Sequence, residues 1–362
     1  MRAVSRRGLG AWAAAMVSSA ALLLPAGRGP CAGEPGPHSG VDTPGAAPAP
    51  SLAGSFTRAP LDPSEILEIV PLGNVSPRGG HVLPTDHVYF EYGGKAGLAV
   101  RAPADGTVFA VRDQVIGDSK IEVRVNDHLS YYVAHLLPEP GVVAGARVTA
   151  GQVLGKTSGR SMLDLGAYDS RVRLRGLMNP ARYPDSTLQT VSPLALFAEP
   201  QRTQLYDRVR REGPDRDGRI DFDEPGRLVG NWFHASLTPG GPAGGPGSGG
   251  KELAFIFDVH RPTAVRVSIG GAFAPPGAYA VQADAPDPRT VSVATGLVKY
   301  VLSEPPPRRG SGPGGVEAAP TPPIGTLLVQ LVGADTLKVE FFLGKGPSGV
   351  ERFTAAAQTY LR

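Results

Sequence analysis

The sequence predicts an all-β protein built from two β modules in tandem, and three observations predict it. Gly and Pro are abundant, at 48 and 37 of 362 residues, and they punctuate short apolar runs. Those runs alternate apolar with polar side chains, as strands with one wet face do. Helical periodicity is scarce, and turn residues recur between the runs.

The first element is an export signal over residues 1–32. Arg2, Arg6 and Arg7 precede an apolar run from Ala11 to Ala26 that is too short and Ala-rich for a membrane span. Ser5-Arg6-Arg7-Gly8-Leu9 resembles a twin-arginine signal, and an ordinary secretory signal fits equally well. Either one predicts a secreted or periplasmic protein with no integral membrane span once the signal is removed. Cys31 is the one cysteine, which excludes a disulfide within the chain. Arg28-Gly29-Pro30 before it does not suit lipid anchoring. Residues 33–60 are mostly Pro, Gly, Ala and Ser, too poor in large apolar groups to offset ordering entropy, and read as a linker. A net charge of +3 leaves no nucleic-acid footprint.

Residues 61–200 form the first module. Strands are expected at Leu98–Ala102, Thr107–Arg112, Ile121–Val125, Tyr131–His135 and Val153–Lys156. Ile121, Val123 and Val125 alternate with Glu122, Arg124 and Asn126, which gives one apolar and one wet face. Pro103-Ala-Asp-Gly106 supplies a turn.

Residues 201–362 form an antiparallel, β-sandwich-like module. Its strands are expected at Leu253–Val259, Ala264–Ile269, Tyr279–Gln282, Thr290–Val301, Leu327–Leu331 and Leu337–Leu343, with a hairpin connection at Gly333-Ala-Asp335. Phe353–Leu361 reads as a short helix. Residues 238–250 and 305–323 read as long flexible loops inside this module.

The phrase from Val100 to Val108, the strand Tyr132-Val-Ala-His-Leu136 and the run from Val142 to Gly155 together resemble the lysostaphin/LytM-type zinc metallopeptidases. Those enzymes cut peptidoglycan cross-bridges, and their duplicated hybrid motif is a barrel-sandwich hybrid. The resemblance implies that fold for the first module. It also implies a metal held by a His-x-x-x-Asp pair and the second His of a His-x-His, with two further histidines assisting water attack. Counting back from Val100 places His87 and Glu91 on the first pair and His135 on the strand histidine. Asp164 takes the third ligand position, and Met162 stands where an assisting His belongs.

The implied metal ligands are therefore His87, Glu91 and Asp164, with His135 catalytic and zinc the family's metal. A Met does no acid–base work, so the catalytic site is incomplete. His81 and Asp86 form a competing His-x4-Asp pair. In a plain strand His87 and Glu91 would sit roughly 13 Å apart, so a shared metal demands a bend between them.

Asp215, Asp217, Asp221 and Glu224 fall at calcium-loop positions, but Gly213 replaces the first carboxylate and Pro225 blocks an exiting helix. An Asp-Gly turn leading to a strand around Trp232 is the favoured reading there, and calcium is not. No nucleophile-elbow, phosphate-loop or dinucleotide fingerprint is present. Besides a carbohydrate-binding role for the C-terminal module, two functions remain open at this point. One is a divergent metal-dependent endopeptidase of the cell envelope. The other is an inactive LytM-like protein that binds cell-wall peptide or an envelope hydrolase.

Overall fold

A computed structural model describes residues 53–115, 117–237, 250–306, 308–309, 316–317 and 321–362. The stretch read as an export signal with Cys31, most of that read as a linker, and most of the two Gly/Pro-rich stretches lie outside the described residues.

The first module is a ten-stranded sheet. Its strands are β1 (Glu68–Val70), β2 (His87–Glu91), β3 (Ala99–Arg101), β4 (Gly106–Val115), β5 (Asp118–Arg124), β6 (Leu129–Pro138), β7 (Arg147–Val148), β8 (Val153–Thr157), β9 (Met162–Asp169) and β10 (Thr190–Val191). The main path runs β1-β2-β9-β6-β5-β4-β7, with β8 bridging β3 to β6 and β10 beside β9. All pairings are antiparallel. One face of the sheet packs Val88, Phe90, Ile121, Val123, Tyr131, Val133, Leu163 and Leu165 into a common core. Phe56 belongs to that core and is fully buried, although its segment is poor in large apolar residues.

The second module has β11 (Gly230–His234), β12 (Glu252–Phe257), β13 (Val265–Ile269), β14 (Gly277–Val281) and β15 (Val298–Ser303). A two-stranded ribbon follows, β16 (Arg308–Arg309) with β17 (Val316–Glu317). Then come β18 (Pro323–Gly333), β19 (Thr336–Leu343) and β20 (Gln358–Leu361). The antiparallel β module expected here is present, with its edges joined into a closed eight-stranded barrel. Trp232, Phe255, Tyr300 and Tyr360 fill its interior.

Two local expectations change. Phe353–Leu361 does not form a helix: Gln358–Leu361 is the strand that closes the barrel, paired with β11 and β19. Closure satisfies backbone groups that two open edges would leave unpaired, and this outweighs local preference. The run expected to start a strand at Thr290 becomes extended only at Val298, after a single turn at Val293–Thr295. A reciprocal cap between Ser292 and Thr295 holds that turn.

Both modules belong to one compact unit, Ser51–Arg362, and pack closely. Val259, just past β12, joins Val70 and Tyr89 of the first sheet in a small apolar cluster, with Met162 against it. The buried Ser268 hydroxyl of β13 donates to the Val82 carbonyl. Arg362 lies over the Trp232 ring, 4.1 Å from its centroid, and donates to the carbonyls of Glu224, Arg227 and Val229 along the crossover. Among the described residues no helix is long and apolar enough to cross a membrane.

Candidate functional site

Strand parity builds the site. Cross-strand partners in an antiparallel ladder share a face. His87 pairs with Gly166, Tyr89 with Asp164 and Glu91 with Met162. Across β9, Gly166 faces Tyr132 and Asp164 faces Ala134. Beyond β6, Tyr132 faces Glu122 and Ala134 faces Lys120. The face opposite the core thus carries His87, Tyr89, Asp164, Tyr132 and Lys120 in adjacent rows. Gly166 has a specific reason to lack a side chain: a Cβ there would lie 2.2 Å from the Tyr132 ring. Its absence lets that ring cross β9 and bring its hydroxyl 2.9 Å from His87 Nδ1.

Parity alone would send His135 into the core with Tyr131 and Val133. A bulge prevents this. β5 pairs Lys120 with Ala134 and Ser119 with Leu136, so His135 is the extra residue. Its φ is 72°, the one positive value at a non-glycine residue among those described. Leu136 then returns to the core, fully buried. The Ser158 amide and hydroxyl fix the turned backbone by donating to the His135 carbonyl, at 3.4 and 3.2 Å. The imidazole is left on the same face as Asp164.

The result is a chain of alternating acids and imidazoles. Asp164 Oδ2 lies 3.4 Å from His87 Nε2 and 3.2 Å from His135 Nε2. His87 Nδ1 meets Asp86 Oδ1 at 3.1 Å, and His135 Nδ1 meets Asp118 Oδ2 at 2.9 Å. Arg160 donates to the same Asp118 oxygen. Thr187 closes the other end by donating to Asp86 Oδ2 at 2.8 Å. Burial opposes charge on His87, yet Asp164 and Asp86 raise its pKa above the usual imidazole value. His135 behaves alike: burial opposes, while Asp164 and then Asp118 raise it. Burial also works against ionising Asp86, but His87, Thr187 and Lys120 hold it well below the carboxylate range. His81 is shifted down, by burial first and by the charge of His87 next.

Beside this chain lies a cavity of about 300 Å³. Asp86, His87, Tyr132 and Lys120 form one side of it. The connection from Gly80 to Thr85 forms another, bringing the His81 ring to 5.5 Å from His87. Asn231 of β11 reaches in from the barrel and donates to the Tyr183 hydroxyl at 2.9 Å.

The sequence-predicted residues separate into two groups. His87, His135 and Asp164 are together, with Asp86 and His81 around them. Glu91 is elsewhere: β2 pairs in unbroken register from His87 to Glu91, without the bend that a shared metal requires. Four residues of regular strand separate the two Cα atoms by roughly 13 Å. A catalytic zinc needs three protein donors around one point plus an open position. Among the described residues, no group of three or more His, Cys, Asp or Glu can hold a metal ion. With Glu91 held apart, the family's three-donor set is not assembled in this arrangement.

Sequence reasoning missed Tyr132, Lys120, Asp118, Arg160 and Thr187. Parity on β5 and β6 would have found the first two. Asp118, Arg160 and Thr187 arrive through the bulge and through loops that carry no periodic signal.

The carboxylates of the calcium-like stretch point to different partners. Asp217 accepts from Ser192 and from Tyr206, Asp215 pairs with Arg211, and Asp221 pairs with Arg219.

No sequence profile of a known protein family matches the chain, and no curated protein sequence matches it. Solved structures do show similarity. Csd3 of Helicobacter pylori is 22% identical over 32% of each chain, with a TM-score of 0.26. A zinc-containing peptidase of Vibrio cholerae is 23% identical over 32% of this chain and 37% of that one, with a TM-score of 0.27. The SpoIIQ–SpoIIIAH pore-forming complex is 15% identical over 40% of this chain and 92% of the matched one, with a TM-score of 0.29. The similarity to the first two spans about a third of their length.

Proposed function

We propose that this is a LytM-like protein of the cell envelope that binds a cell-wall peptide beside His87 without cleaving it. One observation carries the reading: the carboxylate of Asp164 is shared by both imidazoles, 3.4 Å from His87 and 3.2 Å from His135. Held this close, the carboxylate and the two imidazoles favour ion pairing with one another over a shared metal-bound water. Met162, on the same face, offers no proton to a leaving group. The cavity next to the cluster supplies the binding space. The phrase from Val100 to Gly155 supports the cell-wall connection, and the N-terminal signal supports export.

A second reading, a zinc-dependent endopeptidase, draws on a different observation. His87 Nε2 and Asp164 Oδ1 are buried without a hydrogen-bond partner. Both imidazoles also have Nδ1 held by a carboxylate, the support that metal-binding histidines usually have.

Metal analysis of the purified protein beside Asp164→Ala separates the two, with peptidoglycan digestion and peptide binding measured on the same samples. The expected result is no stoichiometric zinc, intact peptidoglycan and measurable binding. Stoichiometric zinc that disappears with Asp164, together with cleavage, would replace the first reading by the second.

A further inference from the structure

Strand parity on β11 aims one side chain of the barrel at the cavity beside His87. Trp232 fills the barrel interior, so its neighbours Asn231 and Phe233 face outward, toward the first module. Phe233 packs edge-on against Tyr183, with ring centroids 5.8 Å apart, and Asn231 lines the cavity. The backbone of Asn231 is fixed twice: its amide donates to Asp223 Oδ1 at 2.7 Å, and its carbonyl accepts from Arg362 Nε at 3.3 Å. Its side-chain Nδ2 donates to the Tyr183 hydroxyl at 2.9 Å. Oδ1 has no hydrogen-bond partner among the described residues, although Asn231 is only 2% exposed. A buried acceptor left in this way costs free energy that an arriving donor recovers.

Asp86 supplies a second acceptor, from the first module. Its Oδ1 serves His87 and Tyr132, each at 3.1 Å. Its Oδ2 accepts from Thr187 at 2.8 Å and keeps a further lone pair. Lys120, the one lysine or arginine lining the cavity among the described residues, lies 3.4 Å from Glu122 Oε1 and 3.6 Å from the Tyr132 ring centroid. Glu122 already meets its charge, so Lys120 does not recruit an anion, and a second ammonium beside it would be repelled. The group that suits two acceptors in such surroundings is uncharged and carries two donors. A carboxylate offers none, a hydroxyl one and a primary carboxamide two. At about 300 Å³ the cavity lies at the bottom of the small-ligand range, and Val82, Leu83 and Pro84 line it beside the polar groups.

We infer that the cavity takes a primary carboxamide of the bound peptide, its N–H groups on Asn231 Oδ1 and Asp86 Oδ2. This rests on the peptide-binding reading above and narrows it from a peptide to an amidated one.

The test is calorimetric titration of the full chain with N-acetyl-trialanine in three forms: the primary amide, the methyl ester and the free acid. The ester keeps the amide's neutrality and loses its N–H donors; the acid loses the donors and adds a charge. The amide should bind roughly tenfold tighter, or more, than either. Asn231→Leu should bring amide and ester toward equal affinity, with circular dichroism confirming that the variant folds. The comparison of probes on wild type does not depend on that variant. Equal binding of amide and ester, or tighter binding of the acid, overturns the carboxamide site, leaves the acceptors to ordered water and keeps peptide binding intact. Absence of binding by all three overturns both.

Discussion

His135 reaches Asp164 because its backbone is turned: the 3.2 Å approach of Nε2 to Oδ2 depends on a φ of 72° at a bulge in β6. Strain and contact are two sides of one feature. A β strand continued in register would place this imidazole in the hydrophobic core, where its polar nitrogens would lack partners.

That strain predicts an inverted order of substitutions. His135→Gly should be more stable than His135→Ala by about 1 kcal/mol, because glycine adopts the left-handed region without steric cost. Urea denaturation of the two variants measures it. Equal midpoints, or a more stable alanine variant, would show that the turned backbone is not strained.

Gly166 and Tyr132 should be coupled. A Cβ at 166 would stand 2.2 Å from the Tyr132 ring, so Gly166→Ala should cost about 1–3 kcal/mol through overpacking. In a Tyr132→Ala background most of that cost should vanish, which a double-mutant cycle reads directly. Additive effects would mean the ring moves aside freely.

The acid–imidazole chain predicts a pH dependence with a definite sign. His87 and His135 have raised pKa values in the folded state. Their contribution is full below the unfolded imidazole value of about 6.5 and is lost as pH rises through the folded values. His81, shifted down, contributes stability that is lost as pH falls below about 6.5. Stability measured from pH 6.5 upward should therefore decline in the wild type and decline less in Asp164→Asn. Parallel curves for the two proteins would show that Asp164 is not the charge raising those histidines.

Arg362 should clamp the junction of the modules. Its side chain is 1% exposed, and it serves the carbonyls of Glu224, Arg227 and Val229 while covering Trp232. Arg362→Ala strands those acceptors and removes the cation beside the buried Asp223, and should cost about 3 kcal/mol. Arg362→Lys should recover little of it, since one ammonium cannot reproduce the planar fork. Thermal melts of both variants decide; full recovery by lysine would reduce the clamp to simple charge.

Much of the first sheet is legible from alternation. The expected strand at Ile121–Val125 falls within Asp118–Arg124 with its end one residue off, and Ile121 and Val123 face the core as their spacing implies. Tyr131–His135 lies inside the longer β6. Of the site, His87 and His135 both lie within ion-pair distance of Asp164, while Glu91 stays on the far end of an unbent strand. Lys120 and Tyr132 were readable from parity. Asp118 was not, because its place beside His135 depends on the bulge.

The sequence by itself determined an all-β chain, the approximate strand positions and the side chains each strand buries, because apolar alternation is local and every strand reports its own faces. Only the tertiary structure decided that His135 turns out of the core, that Asp164 stands between two imidazoles and that Asn231 of the barrel reaches the cavity. A bulge is defined by the register of a neighbouring strand, and a docked module by contacts made far along the chain. Val259 covers Tyr89 and Ser268 holds Val82 across separations of 170 and 186 residues, beyond the reach of any local pattern.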